Sequence, residues 1–127
     1  MSQNIETKFQ YNGAEYDFDV RDADDSEKLE NALEALRDDE KAAKKDGKGS
    51  EVIRAHCKML KDFFDRCLGD GAGVAICGEK ANISAHYAAY DRFLSYINAQ
   101  KDDILNAKNT FAKYSNRAQR RAAAKNG

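Results

Sequence analysis

The sequence predicts an α+β fold: an N-terminal β-hairpin packed on about three α-helices, the last one long or broken, with a frayed basic tail. Three observations carry this. Asn12-Gly13 stands between two stretches of alternating polarity, a strong hairpin signal because both residues tolerate the positive φ of a type I′ turn. Two apolar stripes recur at helical spacing, Leu29, Ala32, Leu33 and Leu36, then Ile53, His56, Cys57, Leu60, Phe63, Phe64 and Cys67. A third seam, Ile83, Tyr87, Tyr90, Leu94 and Ile97, steps 4-3-4-3. Residues 1–114 read as a single domain, and 115–127 as a basic, flexible tail.

The hairpin register follows from the turn. A two-residue loop sets Tyr11 against Ala14, Phe9 against Tyr16, Thr7 against Phe18 and Ile5 against Val20, all on one face. The other face sets Lys8 against Asp17, which attract, and Glu6 against Asp19, which repel and predict fraying there. An apolar face on an isolated hairpin needs a cover. The first helix supplies part of it, opened by a capping-box-like Asp24 and Glu27 and carrying Leu29, Leu33 and Leu36 as core residues. Residues 37–45 are nearly all polar, so this end either projects or frays. Lys44 and Lys45 suit the helix dipole, and Gly47 and Gly49 stop the helix.

Ser50 is the expected N-cap of the second helix, and Gly69 its close. A glycine-rich connector from Leu68 to Asn82 follows, with Val74, Ala75, Ile76 and Cys77 as a short apolar tuck. Asn82 or Ser84 opens the last helix. Its pattern weakens at Asn98–Asp103 and resumes at Ile104, Leu105, Phe111 and Tyr114, leaving a break near Lys101 open. Beyond Ser115 no large apolar residue remains, so fraying is expected.

Composition narrows the function. Leu, Ile, Val and Phe number 22 of 127 residues, enough for one modest core, and the net charge of −1 argues against disorder. No apolar run approaches the ~20 residues of a membrane helix, and no basic-then-apolar leader opens the chain, so a soluble protein is expected. Three cysteines without a framework spacing favour a reducing compartment. The small net charge hides an asymmetry: residues 1–46 balance to −7, 47–106 to 0 and 107–127 to +6. Such asymmetry more often serves partners or solubility than catalysis.

Motifs for chemistry do not assemble. Gly73 and Gly78 have P-loop spacing, but Glu79-Lys80 follows where Lys and Ser/Thr are needed, and a Glu there repels phosphate. Gly69, Gly71 and Gly73 do not fit a dinucleotide fingerprint. His56, Cys57, Cys67, Cys77 and His86 include metal-ligand types but no C-x-x-C pair, so buried apolar cysteines are the simpler reading. The acidic run Asp17, Asp19, Asp22, Asp24 and Asp25 lacks the Gly and Glu of a calcium loop. No G-x-S-x-G is present. No catalytic, cofactor or metal residues are therefore assigned. The basic end, with Lys113, Arg117, Arg120 and Arg121, reads as a solvated tail or one that orders on a protein partner. A small nucleic-acid-binding regulator using this tail is the alternative.

The order of these segments resembles a known family. YNGAEYDFDVRDADDSEKLENAL, CKMLKDFFDRCLGDGAG, ICGEKANISAHYAAYDRFLSYI and the closing NRAQRR together look like the small tail assembly chaperones of long-tailed phages and prophages of Gram-positive bacteria. Cys77 departs from the pattern, which leads one to expect a larger apolar residue before the glycine. The resemblance implies a non-enzymatic chaperone that coats the tape measure protein before tail tube protein polymerises around it. It implies the cytoplasm of the bacterial host, absence from the finished virion, and in some phages a longer frameshifted form. Weak repeated contacts also leave room for self-association. The residues assigned to partner contact are Tyr114, Arg117, Arg120 and Arg121; neither membrane nor nucleic acid is expected as partner.

Overall fold

A computed structural model describes residues 5–43 and 46–126. Strands β1 (Lys8–Tyr11) and β2 (Ala14–Asp17) form the hairpin, followed by helices α1 (Ala23–Ala42), α2 (Gly49–Leu68), α3 (Ala72–Cys77) and α4 (Ile83–Asn126). The α+β architecture is as the sequence predicts, with the glycine-rich tuck wound into a fourth, short helix.

The two strands pair antiparallel in the expected register, Phe9 against Tyr16 and Tyr11 against Ala14. Asn12 and Gly13 take φ of 50° and 77°, as a type I′ turn demands. One further backbone bond, from the Phe18 N–H to the Thr7 carbonyl at 3.1 Å, extends the ladder. There it ends, as the Glu6–Asp19 clash predicts. On the outer face Lys8 pairs diagonally with Glu15 at 3.5 Å, not with Asp17 opposite. The Asn12 amide donates to the Ile76 carbonyl at 2.7 Å, so the turn is pinned to α3.

Two helix starts differ from expectation and a third agrees with it. The N-cap of α1 is Asp22, and Asp24 and Asp25 already lie in its first turn, so no Asp24–Glu27 box forms. The cause lies upstream: the Asp19 N–H donates to Asp25 at 3.0 Å, and the Asp22 N–H to the Asp19 carbonyl at 3.0 Å, turning the chain early. Helix α2 begins at Gly49 with Lys48 as N-cap, which places Ser50 inside the first turn. Helix α4 follows the expected Asn82 cap, whose side-chain oxygen accepts the Ala85 N–H at 3.0 Å. Polar residues 37–42 are helical; Lys44 and Lys45 lie outside the described residues.

The connector is built around one close approach. Gly71 and Gly78, at φ of 92° and 88°, bracket α3. A Cβ at Gly73 would sit 2.7 Å from the Lys61 Cα, so α3 rests directly on the α2 backbone. The Asp65 carboxylate accepts the Gly73 N–H at 2.7 Å and serves as the cap that α3 lacks locally.

An aromatic cluster forms the core. Phe93 of α4 stands 5.0–6.3 Å, centroid to centroid, from Phe9, Phe18, Phe63, Phe64 and Tyr96. Leu29 and Ala32 of α1 are buried beside it, with Leu33 and Leu36 packed at the margin. The α4 stripe is rotated from the expected seam. Its buried residues are His86, Ala89, Phe93, Tyr96, Ile97 and Gln100, while Tyr87 is exposed.

Gln100 explains why the apolar pattern lapses there without a break in the helix. Its side-chain oxygen accepts the Val20 N–H at 2.9 Å, and its amide donates to the Glu6 and Phe18 carbonyls, both at 3.0 Å. The Tyr96 hydroxyl also donates to the Phe18 carbonyl. The frayed end of the hairpin is thus closed by side chains of α4.

Candidate interaction surface

Helix α4 leaves the body just after Gln100. The last ties are Asp103, which accepts from the Arg21 guanidinium at 2.9 Å, and the half-buried Ile104. Arg21 also grips Asp19 at 2.8 Å, which holds the Asp19 carboxyl below its ordinary range. From residue 105 onward almost every described side chain is exposed. At ~1.5 Å per residue the projecting arm extends roughly 30 Å.

The arm continues as helix because its composition favours it. Ala, Arg, Lys and Gln dominate residues 117–125, and these are the better helix formers. Residues 115–126, where the sequence leads one to expect a frayed tail, continue α4 as helix.

Three large apolar residues stand out to solvent on this arm: Leu105 at 54%, Phe111 at 73% and Tyr114 at 64% exposure. The sequence reading takes Ile104, Leu105, Phe111 and Tyr114 as a resumed core seam. In the fold Ile104 is half-buried, whereas Leu105, Phe111 and Tyr114 are exposed. Ile104, Phe111 and Tyr114 step 7-3 and share one face, with Leu105 turned away.

The four residues assigned to partner contact all lie here. Tyr114, Arg117 and Arg121 step 3-4 and share a face; Arg120 is rotated about 120° from Tyr114. All four are exposed. Phe111 was not assigned, although a Phe within an otherwise polar helix segment, flanked by Lys108 and Lys113, is the signal that could have found it.

A second feature lies at the far end of the body. Leu36, Met59, Leu60, Tyr87 and Tyr90 line a groove of about 160 Å³ between α1, α2 and α4, with Glu40 and His56 at its edge.

The candidate chemical groups are absorbed by the fold. Cys57, Cys67 and Cys77 are buried free thiols. Burial pushes Cys67 up to about 12 and Cys77 up to about 11, which leaves them protonated and poorly nucleophilic. His56 Nδ1 bonds the Val52 carbonyl at 2.9 Å. His86 is fully buried; its Nδ1 lies 2.7 Å from the Asn82 carbonyl, so that nitrogen carries the proton and Nε2 is left without a partner. Among the described residues no three His, Cys, Asp or Glu side chains are grouped to hold a metal ion. No described helix is long and apolar enough to cross a membrane.

The exposed, basic helical arm is the candidate interaction surface. The chain belongs to a protein family of unknown function, DUF6673, whose profile matches residues 12–124. That span takes in the hairpin turn, the body and nearly all of the arm. No curated protein and no solved structure matches the chain.

Proposed function

We propose that the protein is a tail assembly chaperone of a long-tailed phage or prophage, acting by binding the tape measure protein during tail tube assembly. The observation that supports this most is the arm. It offers Phe111 and Tyr114 to solvent on a helical segment whose charged residues are all Lys and Arg. A helix with exposed apolar anchors and a charged flank suits shallow contacts along another helical chain. The tape measure partner rests on the sequence resemblance, and its chemistry, long and helical, fits such a surface. In this role the protein works by association, in the cytoplasm of the bacterial host, with tail tube protein as the second partner.

The test is co-expression with the tape measure protein of its own phage or prophage. The expected result is a soluble complex holding many copies of this chain per tape measure. A variant carrying Phe111→Ser and Tyr114→Ser should lose it. A tape measure that stays insoluble and uncomplexed with either chain would sink the proposal.

A second reading has one observation in its favour. The arm carries six Lys and Arg and no acid, which also suits a phosphate backbone. Duplex binding would weaken with a log–log salt slope of about −0.9 per phosphate contact. Apolar side chains add little to such binding, so the Phe111→Ser, Tyr114→Ser variant should retain it.

A further inference from the structure

Helix α4 carries a seam that runs further than the body covering it. Tyr90, Phe93, Ile97 and Gln100 step 3-4-3. The same line continues through Ile104, Ala107, Phe111 and Tyr114 at 4-3-4-3. This alternation is the 3.5-residue repeat by which one helix packs along another. The first half is used inside the molecule: Phe93 and Ile97 are buried, Tyr90 packs on Phe63 of α2, and Gln100 closes the hairpin. Past the half-buried Ile104, the seam stays in phase while Ala107, Phe111 and Tyr114 are exposed. A seam of this period is matched by a helix, whose own side chains fall between these.

The positions beside the seam set the partner's charge. With Ile104 and Phe111 at a and Ala107 and Tyr114 at d, Lys108 and Ser115 stand at e, and Thr110 and Arg117 at g. Both charges are positive, and residues 105–127 hold no acid. Two arms therefore repel along this edge. The acidic helix α1 cannot serve, in the same molecule or a second copy, because Leu29 and Ala32 of its apolar stripe are buried in the body. A phosphate backbone would leave Phe111, at 73% exposure, without an apolar contact. A helix that is apolar on one face and acidic at its margins answers both the seam and the charge.

We infer that the arm takes an acidic amphipathic helix of another protein, seated along Ala107, Phe111 and Tyr114 with its carboxylates against Lys108 and Arg117. This deepens the proposed function, and rests on its reading of the arm as the contact, by naming the chemistry of the segment gripped. Phe111 is the central anchor, while Lys108 and Arg117 select the sign of the partner's charge.

Fluorescence anisotropy of a labelled synthetic peptide, titrated with the full chain, tests it. The probe has about three heptads with Leu at a and d and Glu at e and g, whose like charges keep it from pairing with itself. Two companion peptides carry Lys at e and g, or Ser at a and d. The Glu probe should bind at least about tenfold more tightly than either companion. Phe111→Ser should weaken it by about tenfold or more, as loss of a central aromatic anchor does. Lys108→Glu with Arg117→Glu should cut the preference for Glu over Lys by about tenfold or more. Lys113→Glu with Arg120→Glu changes the net charge equally but lies at c, away from the seam, and should move it by less than about threefold. All these positions are exposed, and unchanged far-ultraviolet circular dichroism confirms that the variants fold. Equal binding of the Glu and Lys peptides, or equal effects of the two charge reversals, overturns the inference. So does a Glu probe left unbound at about 0.5 mM chain, which already reveals contacts of millimolar strength. Duplex DNA of about 20 base pairs that binds more tightly than the Glu probe, and is indifferent to Phe111→Ser, overturns it too. The tape measure protein takes no part in this experiment. A peptide preference that fails while the co-expressed complex forms removes the inference and leaves the chaperone reading; a peptide preference without a tape measure complex does the reverse.

Discussion

Gln100 is the residue on which the N-terminal third depends. It satisfies one buried N–H and two carbonyls of a hairpin end that has no strand partner left. Removing a buried partner leaves its groups desolvated and unpaired, at about 1–3 kcal/mol each. Gln100→Leu should therefore lower unfolding free energy by about 2–4 kcal/mol, less than the sum because Tyr96 still serves the Phe18 carbonyl. A urea titration measures this. A loss under about 0.5 kcal/mol would mean that water takes over the clamp.

His86 supplies a pH dependence. Burial lowers its pKa from the ordinary 6.5, because the charged ring has no water and its Nε2 no acceptor. The unfolded chain therefore binds a proton more readily than the folded one. The sign follows: stability is complete above pH 6.5 and declines as pH falls below it, until the folded-state pKa is passed. His86→Gln should flatten the stability curve between about pH 5 and 7. A slope unchanged by this substitution would assign the effect to other groups.

At the scale of elements, the tightest constraint is α3 on α2. Gly73 has no space for a methyl group, because the Lys61 carbonyl and Cα occupy it. Its backbone is helical, so alanine would not suffer there on φ/ψ grounds; the penalty is collision alone. Gly73→Ala should cost about 1–3 kcal/mol, the usual range for overpacking. Gly49→Ala is the natural control, since a Cβ there meets nothing within 4 Å. Equal stability of the two variants would show that α3 can lift off freely.

Helix α4 divides into two parts that should unfold separately. Residues 86–100 are stitched into the core, whereas from residue 105 onward almost every described side chain is exposed. A chain ending at Ser115 should keep the urea midpoint of the full protein, within about 0.5 kcal/mol. Amide exchange should be slow at Phe93 and Ile97 and fast beyond Phe111.

How much of this was legible follows from where the forces act. The hairpin register was readable because a two-residue turn fixes it and a period of 2 leaves no freedom. The buried faces of α1 and α2 were readable from spacing alone. The glycine connector was recognised, but its helix was not, because α3 is made by tertiary contacts, the Asp65 cap and the Gly73 approach. Gln100 was invisible, since polar residues in a lapsing stripe look like surface. Tyr114, Arg117, Arg120 and Arg121, assigned to partner contact from the sequence, lie on an exposed segment. Phe111 was missed because an aromatic residue at helical spacing is ordinarily core, and only the fold shows that nothing packs there.

For the molecule as a whole, the hairpin clamp bears on how the chain folds as it is made. The hairpin leaves the ribosome before the helices, yet its bonds reach far forward: Asn12 to Ile76, Val20 to Gln100, and Glu6 to Gln100. At about 5–20 residues per second, Gln100 emerges roughly 4–16 s after Val20. During that interval the strands hold an uncovered apolar face and an open edge, and an isolated hairpin is marginal in water. Native structure at the N-terminus is therefore among the last to become permanent. The distal arm, synthesised after the body, buries little against earlier parts of the chain among its described side chains.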